Sequence, residues 1–386
     1  MSTKDINYIA KKYPNFLIHS VSRYHPISED LIEKYRDIWD WGQLSKNRNL
    51  DLTEALIKRY EDRWSWEMGL ANNRALPWSE DLVRRFSDRW KYNLSRNEAL
   101  PWSVKFIEDC ADLLDWSDLP ENSEIDWSED LIEKHEDRLY WRELSGVENE
   151  ALPWSITFIE RYEDRWNWDK LSKNKSLPWS EELIEYFDDQ WEWSGLLGGL
   201  SENEALPWSE AFIDQNADRW DWEGLSKNEG LPWTESLIEK YEQRWDWEKL
   251  STNEALPWTE QLVDRYAERW DWSGGVRGGL SGNEGLPWSE EFIEKYEDNW
   301  DWGRRGLSDN AALPWSWQLI EKNSDRWRWR NIGLNKSLPW SLKILLKHEK
   351  QWDWDSLGGN SAIYEEVVSE EVNLELIDKA TESVES

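Results

Sequence analysis

Apolar residues recur along the chain in blocks that copy one another. In the block that begins at Leu231, the side chains of Leu237, Ile238, Tyr241 and Trp245 stand at positions 3, 4, 7 and 11 counted from Glu235. At about 100° per residue they fall on one stripe, so the spacing predicts an amphipathic α-helix from Glu235 to about Arg244 with one face buried. Thr234 is placed as its N-cap, and Trp233 and Ile238 have the spacing of a hydrophobic staple. Glutamate at the start and arginine at the end also suit the helix dipole.

The block occurs thirteen times, beginning at or near His25, Leu50, Leu76, Leu100, Ile125, Leu152, Leu177, Leu206, Leu231, Leu256, Leu286, Leu313 and Leu338. A period of about 25 residues is the signature of a stacked repeat array, in which each unit buries its apolar face against its neighbours. After the helix come Trp-Asp-Trp and then Leu-Ser-x-Asn, and the longer copies carry inserts between these segments at 194–199, 273–279 and 303–306. A continuous helix does not accept such inserts, so the two segments are expected to be separate short elements, a bend and a 3₁₀ or one-turn helix. The asparagine is present in every copy, from Asn47 to Asn360. It tolerates the left-handed conformation and bonds nearby backbone, which marks it as an internal cap or ladder. The fold class expected is all-α, a solenoid or superhelix of about thirteen short repeats, each an α-helix plus a short 3₁₀ or irregular return. Residues 1–24 form an N-terminal cap, 25–360 the tryptophan-rich solenoid, and 361–386 a C-terminal capping helix with an acidic, disordered tail. Exposed ends of such a stack offer surfaces for self-association.

The unit LPxxxLIxxYxDRWDWxxLSxNxx, over roughly residues 25–363, resembles a tryptophan-rich repeat of uncharacterised proteins from bacteria and large DNA viruses. Its layout is similar to the leucine-rich variant repeat, which alternates an α-helix with a 3₁₀-helix. The resemblance implies the repeat class and carries no assigned activity.

Composition adds two facts. Tryptophan occurs 35 times, and all but Trp317 fall into three frames: just before the helix cap (Trp78 to Trp340), at the helix end (Trp39 to Trp352), and two residues later (Trp41 to Trp354). A large ring at a fixed place in a short repeat is most simply its packing residue. In repeats 4 and 5 Leu114 and Leu139 take the helix-end place. The arginine before that place, as in Arg63, Arg219 and Arg269, is positioned to stack on tryptophan and to pair with a carboxylate of the neighbouring repeat. The second fact is charge: 80 acidic against 46 basic residues, a formal net charge of −34. A nucleic-acid binder needs a basic face to displace counterions, so direct DNA or RNA binding is not expected.

No sequence pattern names a reaction. The four histidines, His19, His25, His135 and His348, are scattered, Cys110 is the single cysteine, and no metal spacing, catalytic triad or phosphate loop is visible. The expectation is therefore no enzyme, no catalytic residue, no cofactor and no metal. With no apolar N-terminal leader or membrane-length run, the chain is expected to be soluble and cytoplasmic. Departures from the repeat point to a partner surface: the inserts between 194 and 333, and a basic-aromatic group of Arg277, Arg304, Arg305, Trp317, Arg328 and Arg330. Asn216 and Asn323 also depart, standing at the usual Tyr or Phe position. The function expected is a non-catalytic scaffold that binds a macromolecule, a protein with a basic surface, through its groove and inserted loops. Two alternatives stay open: a carbohydrate or small-ligand binder using exposed tryptophan rows, and an acidic mimic of nucleic acid that sequesters a DNA- or RNA-binding protein.

Overall fold

A computed structural model describes residues 3–90, 94–146, 150–194, 199–274 and 279–385. Among the described residues all regular secondary structure is helical, and tryptophan-bearing helices recur at the spacing of the sequence repeat.

Repeat 9 shows the plan. Its first helix runs Glu235–Lys240, and Thr234 caps it by accepting the Leu237 N–H at 3.1 Å. The helix stops sooner than the hydrophobic stripe suggests. Tyr241 is its C-cap at φ −113° and ψ 25°, and residues 241–244 form a turn in which Arg244 N bonds Tyr241 O at 2.8 Å. At this end the Trp245 ring folds back beneath the helix and donates Nε1–H to Ile238 O at 3.1 Å. That carbonyl would take the N–H of residue 242 in a continued helix, so the indole replaces the bond that one more turn would supply.

In most short copies the return is one element, not two; in repeat 4 a turn leads into the 3₁₀-helix Leu119–Glu121. Asp246 caps the four-residue helix Trp247–Leu250 by accepting Lys249 N–H at 3.1 Å. The second tryptophan therefore opens the same helix that the leucine closes, through Leu250 N to Asp246 O at 2.9 Å. Copies with inserts keep this closing bond and lose the helix. Leu200 N reaches Glu192 O at 2.8 Å, Leu280 N reaches Asp271 O at 2.8 Å and Leu307 N reaches Asp301 O at 2.9 Å, with 3₁₀-helices at Gly199–Glu202 and Leu280–Gly282. The closing bond is thus kept whatever the length of the insert.

The core of each repeat is its Leu-Pro leucine, two helix residues, the helix-end tryptophan and the return leucine; in repeat 9 Leu231, Leu237, Ile238, Trp245 and Leu250 are all buried. Leu114 and Leu139 fill the tryptophan slot and are buried as well. Repeats are joined by polar side chains. Asn253 donates Nδ2–H to Ser226 O (3.0 Å) and Asn228 O (3.2 Å) of the preceding repeat, while its Oδ1 accepts Ala255 N–H at 3.0 Å. The asparagine is thus the expected ladder, in extended rather than left-handed backbone: Asn228 has φ −75° and ψ 114°. A second ladder runs through the serine two residues earlier. Ser251 Oγ donates to Trp247 O at 2.6 Å and accepts Asp271 N–H of the next repeat at 2.8 Å.

The chain divides into two compact units, residues 116–314 and residues 1–115 with 315–386. In the second of these the chain ends meet. The N-terminal helices Thr3–Lys12 and Pro14–Tyr24 pack against the C-terminal helix Leu374–Glu385. Tyr13 stacks on Trp354 of the last repeat, ring centroids 3.9 Å apart and planes within 7°. Glu349 Oε1 accepts from Lys12 Nζ (2.7 Å), Tyr8 OH (2.9 Å) and Tyr13 OH (3.0 Å). The same N-terminal segment accepts the first rung of the ladder, Asn47 Nδ2 to Ser22 O and His25 O, both at 2.9 Å. The two caps therefore cover each other and do not leave open ends, and the expected disordered tail is helical to Glu385.

Candidate interaction surface

Tryptophan is spent on the interior. All 35 tryptophans lie among the described residues and none is exposed. Burial is graded by frame. The helix-end rings are enclosed, Trp270 at 4 % exposure, while the rings before the cap, such as Trp258, are mostly half-buried. Trp270 sits between Trp258 of its own repeat (4.9 Å) and Trp247 of the preceding one (4.8 Å, planes at 65°). In each frame the indole nitrogen has a backbone partner in most repeats: Trp258 donates to Asn253 O at 2.9 Å, Trp270 to Val263 O at 3.2 Å and Trp247 to Glu242 O at 3.3 Å, whereas Trp127, Trp193 and Trp352 leave theirs without one.

The arginines behave as their positions imply. Arg269 lies 5.2 Å over the Trp247 ring and pairs with Glu242 at 2.7 Å. Arg219 lies 3.7 Å over Trp193 and pairs with Asp188 at 2.7 Å. Arg63 donates to Arg36 O (2.7 Å) and Asp37 (2.6 Å). Each bridges to the repeat before it, so these positive charges are committed to the stack.

What remains toward solvent is acidic. Two residues before the helix-end position, Asp137, Asp164, Asp189, Asp218, Glu268 and Asp298 of one unit are all exposed, and only Gln243 interrupts the row. The other unit repeats the pattern with Asp37, Asp62, Asp88 and Asp112. Asp218 has a side-chain exposure of 98 % and Asp62 of 88 %, so these carboxylates stand clear of the surface. Beside the row, depressions form between neighbouring repeats. One of about 640 Å³ is lined by Glu239, Glu242, Asp264 and Glu268 with Arg265 and Arg269. Its equivalent of about 540 Å³ is lined by Glu133, Glu136, Glu160, Glu163 and Asp164 with Arg161 and Arg165. The acid before the arginine is legible in the sequence motif; its uniform exposure is not.

The residues of the predicted basic-aromatic group fall in both units. Arg277 lies outside the described residues. Arg304 and Arg305 are exposed in the turn of the unit 116–314, where Arg305 takes φ 57° and its N–H bonds Asp309 Oδ2 at 2.7 Å. That turn borders a cavity of about 280 Å³ with Thr252, Gly282 and Asn283. Trp317, Arg328 and Arg330 belong to the other unit. There Trp317 is half-buried and stacks on His348 (6.2 Å, 24°), with Trp329 on the same imidazole at 4.6 Å, and Arg330 pairs with Asp353 at 3.5 Å. Arg328 occupies the cap position of the helix Trp329–Ile332 and, unlike Asp246, makes no side-chain cap bond. The variants Asn216 and Asn323 turn inward on their own helices, to Phe212 O and Leu319 O, both at 3.2 Å.

Among the described residues no three His, Cys, Asp or Glu side chains converge as metal ligands would, and no helix is long and apolar enough to cross a membrane. Cys110 is buried, and that burial raises its thiol above the ordinary range, which suppresses the reactive thiolate. Comparison with protein-family models, with curated proteins and with solved structures gives no match.

Proposed function

We propose that the chain is a non-catalytic scaffold, its repeats stacked as a solenoid within each unit, that binds a protein with a basic surface along the acidic row. The observation that carries this is the register: one exposed carboxylate in the same place on successive repeats, while the neighbouring arginines are held by internal pairs. A periodic acidic face of this kind raises the encounter rate with a basic partner and sets its register. Rings that are all at least half-buried support packing as their role and lend nothing to a sugar platform.

The test is fluorescence anisotropy with a labelled lysine- and arginine-rich peptide, compared with a neutral peptide of equal length. The wild type is expected to bind the basic peptide with affinity that falls steadily as salt rises. Changing Asp164, Asp189, Asp218 and Asp298 together to Asn is expected to weaken it at least about tenfold. Equal binding of the neutral peptide, or an unaltered affinity in the variant, sinks the proposal. Competition by heparin for a nucleic-acid-binding partner would instead favour the mimic of nucleic acid.

A further inference from the structure

The acidic balance of the chain reverses most strongly near its C-terminal end. Arg326 to Lys350 is a single repeat length, yet it carries seven Lys and Arg against one carboxylate, Glu349, in a protein of formal net charge −34. All seven are exposed. Glu349 does little to offset them, because it is taken by Lys12, Tyr8 and Tyr13 from the N-terminal segment. Arg330 pairs with Asp353 and Lys347 with Glu321, whereas Lys336, Lys343 and Lys350 make no ion pair with any described residue.

Each of these three lysines stands where other repeats hold a carboxylate. Lys350 is two residues before Trp352, the place of the acidic row. Lys336 follows the ladder residue Asn335 as Glu204, Glu254 and Glu284 follow theirs. Lys343 is the second residue of its helix, as Glu182 and Glu291 are of theirs. The segment, which closes repeat 12 and opens repeat 13, thus gathers cations at places where other repeats hold carboxylates; the acidic-row register is reversed at Lys350 alone, whereas Arg48, Arg74 and Lys175 also follow their asparagines and Lys105 is likewise second in its helix.

We propose that this basic segment docks on the acidic row of a second copy of the chain. The complementary surface is the acidic row itself: exposed carboxylates recur at the register that Lys350 replaces, and any second copy brings them in equal amount. End-to-end stacking is not open as a route, because the terminal helices already cover each other. The contact joins two different patches, so it is heterologous and adds copies until a ring closes or a chain of copies forms.

Electrostatics gives the association a distinctive salt dependence. Two molecules of charge −34 repel at long range, while the patch and row attract at short range. Screening reaches about 30 Å at 0.01 M salt, about 8 Å at 0.15 M and about 3 Å at 1 M. At the lowest salt the whole-molecule repulsion dominates, and at the highest the local attraction is also lost. Association is therefore strongest between these limits.

The experiment is sedimentation velocity of the full chain across a wide concentration range at about 0.01, 0.15 and 1 M salt. The expected result is concentration-dependent association at the middle salt that weakens at both extremes. The triple variant Lys336→Glu, Lys343→Glu, Lys350→Glu, at exposed positions and with an unchanged melting temperature, is expected to raise the dissociation constant at least about tenfold. Mixing it with a chain carrying Asp164→Lys, Asp189→Lys and Asp218→Lys is expected to restore association between the two. A monomer under all conditions overturns the proposal, as does association that grows steadily with salt or ignores the triple variant. A wild-type monomer that binds an oligonucleotide through these lysines also overturns it. The proposal shares the acidic row with the function proposed above, but the triple variant separates them: basic-peptide binding should survive it while self-association does not.

Discussion

Asn253 is 1 % exposed and bonds three backbone groups with its side chain, two of them in the preceding repeat. Buried amides of this kind stabilise a structure less by what they add than by what their loss leaves bare, since each unpaired buried group costs about 1–3 kcal/mol. Asn253→Ala is expected to cost about 2–4 kcal/mol in urea denaturation, and Asn253→Asp at least as much, because a carboxylate would face the carbonyls of Ser226 and Asn228 with no proton to donate. An effect below about 0.5 kcal/mol, the range of an ordinary surface change, would show that the rung is not structural. The tryptophans give a second residue-scale test, because chemistry is constant while burial varies. Trp270→Ala empties an enclosed site and is expected to cost about 3–5 kcal/mol. Trp258 is half-buried, so Trp258→Ala removes less area from the interior and is expected to cost about 1–3 kcal/mol. Equal costs would contradict the grading of the three frames.

The repeat element is a six-residue helix and a one-turn return, both too short to persist alone. In repeat 9 they are held by the side-chain caps of Thr234 and Asp246 and by the indole bond of Trp245, an arrangement most other repeats share. Gly199 marks how tightly such an insert rejoins: its φ is +58°, and a Cβ there would lie 2.2 Å from Glu192 O. Gly199→Ala is expected to lower stability by about 1–3 kcal/mol in thermal or urea unfolding, whereas a freely accommodated alanine would leave it unchanged or slightly raised. Much of this element is legible in the sequence. Thr234 before Glu235, the Leu237–Ile238 pair and the recurring asparagine each specify a local bond or a buried face, and all stand where expected. The helix end is not legible, because the turn from Tyr241 to Trp245 continues the same apolar stripe while an indole, not a backbone N–H, bonds Ile238 O. The expected basic-aromatic residues fall in both units. Arg304, Arg305, Arg328 and Arg330 are near in sequence, but the chain divides between them, and the unpaired Lys336, Lys343 and Lys350 emerge only when charge is compared register by register.

At the scale of the whole molecule, the meeting of the chain ends is a long-range contact outside the repeat pattern, so no periodicity announces it. On the acid side it is held by three groups whose shifts share one sign of pH dependence, while Lys12, raised by its bond to Glu349, carries the opposite sign at alkaline pH. The bond from Lys12, supported by Tyr8 and Tyr13, holds Glu349 below its ordinary range, and the Tyr35 hydroxyl does the same for Asp378. Burial lowers His25, whose Nδ1 lies 3.0 Å from Tyr364 OH. A carboxylate depressed in the folded state contributes stability above its unfolded value, about 4, and loses it as pH falls through the folded one. His25 is held neutral, so the unfolded segment takes its proton first once pH drops below about 6.5, and stability again falls with pH. The terminal contact should therefore loosen in two steps on acidification, the first near the histidine range and the second in the carboxylate range. Hydrogen exchange of the amides in residues 5–24, corrected for intrinsic rates, is expected to report the first step between about pH 7.5 and 5.5, rising at most tenfold per pH unit for one proton. His25→Phe should remove that step and keep the acid one, and Glu349→Gln should reduce the acid one and keep the first. Protection that stays level from neutral pH to about 5.5 would show that His25 does not couple to the contact, and loss confined to the middle repeats would place the acid-sensitive region elsewhere.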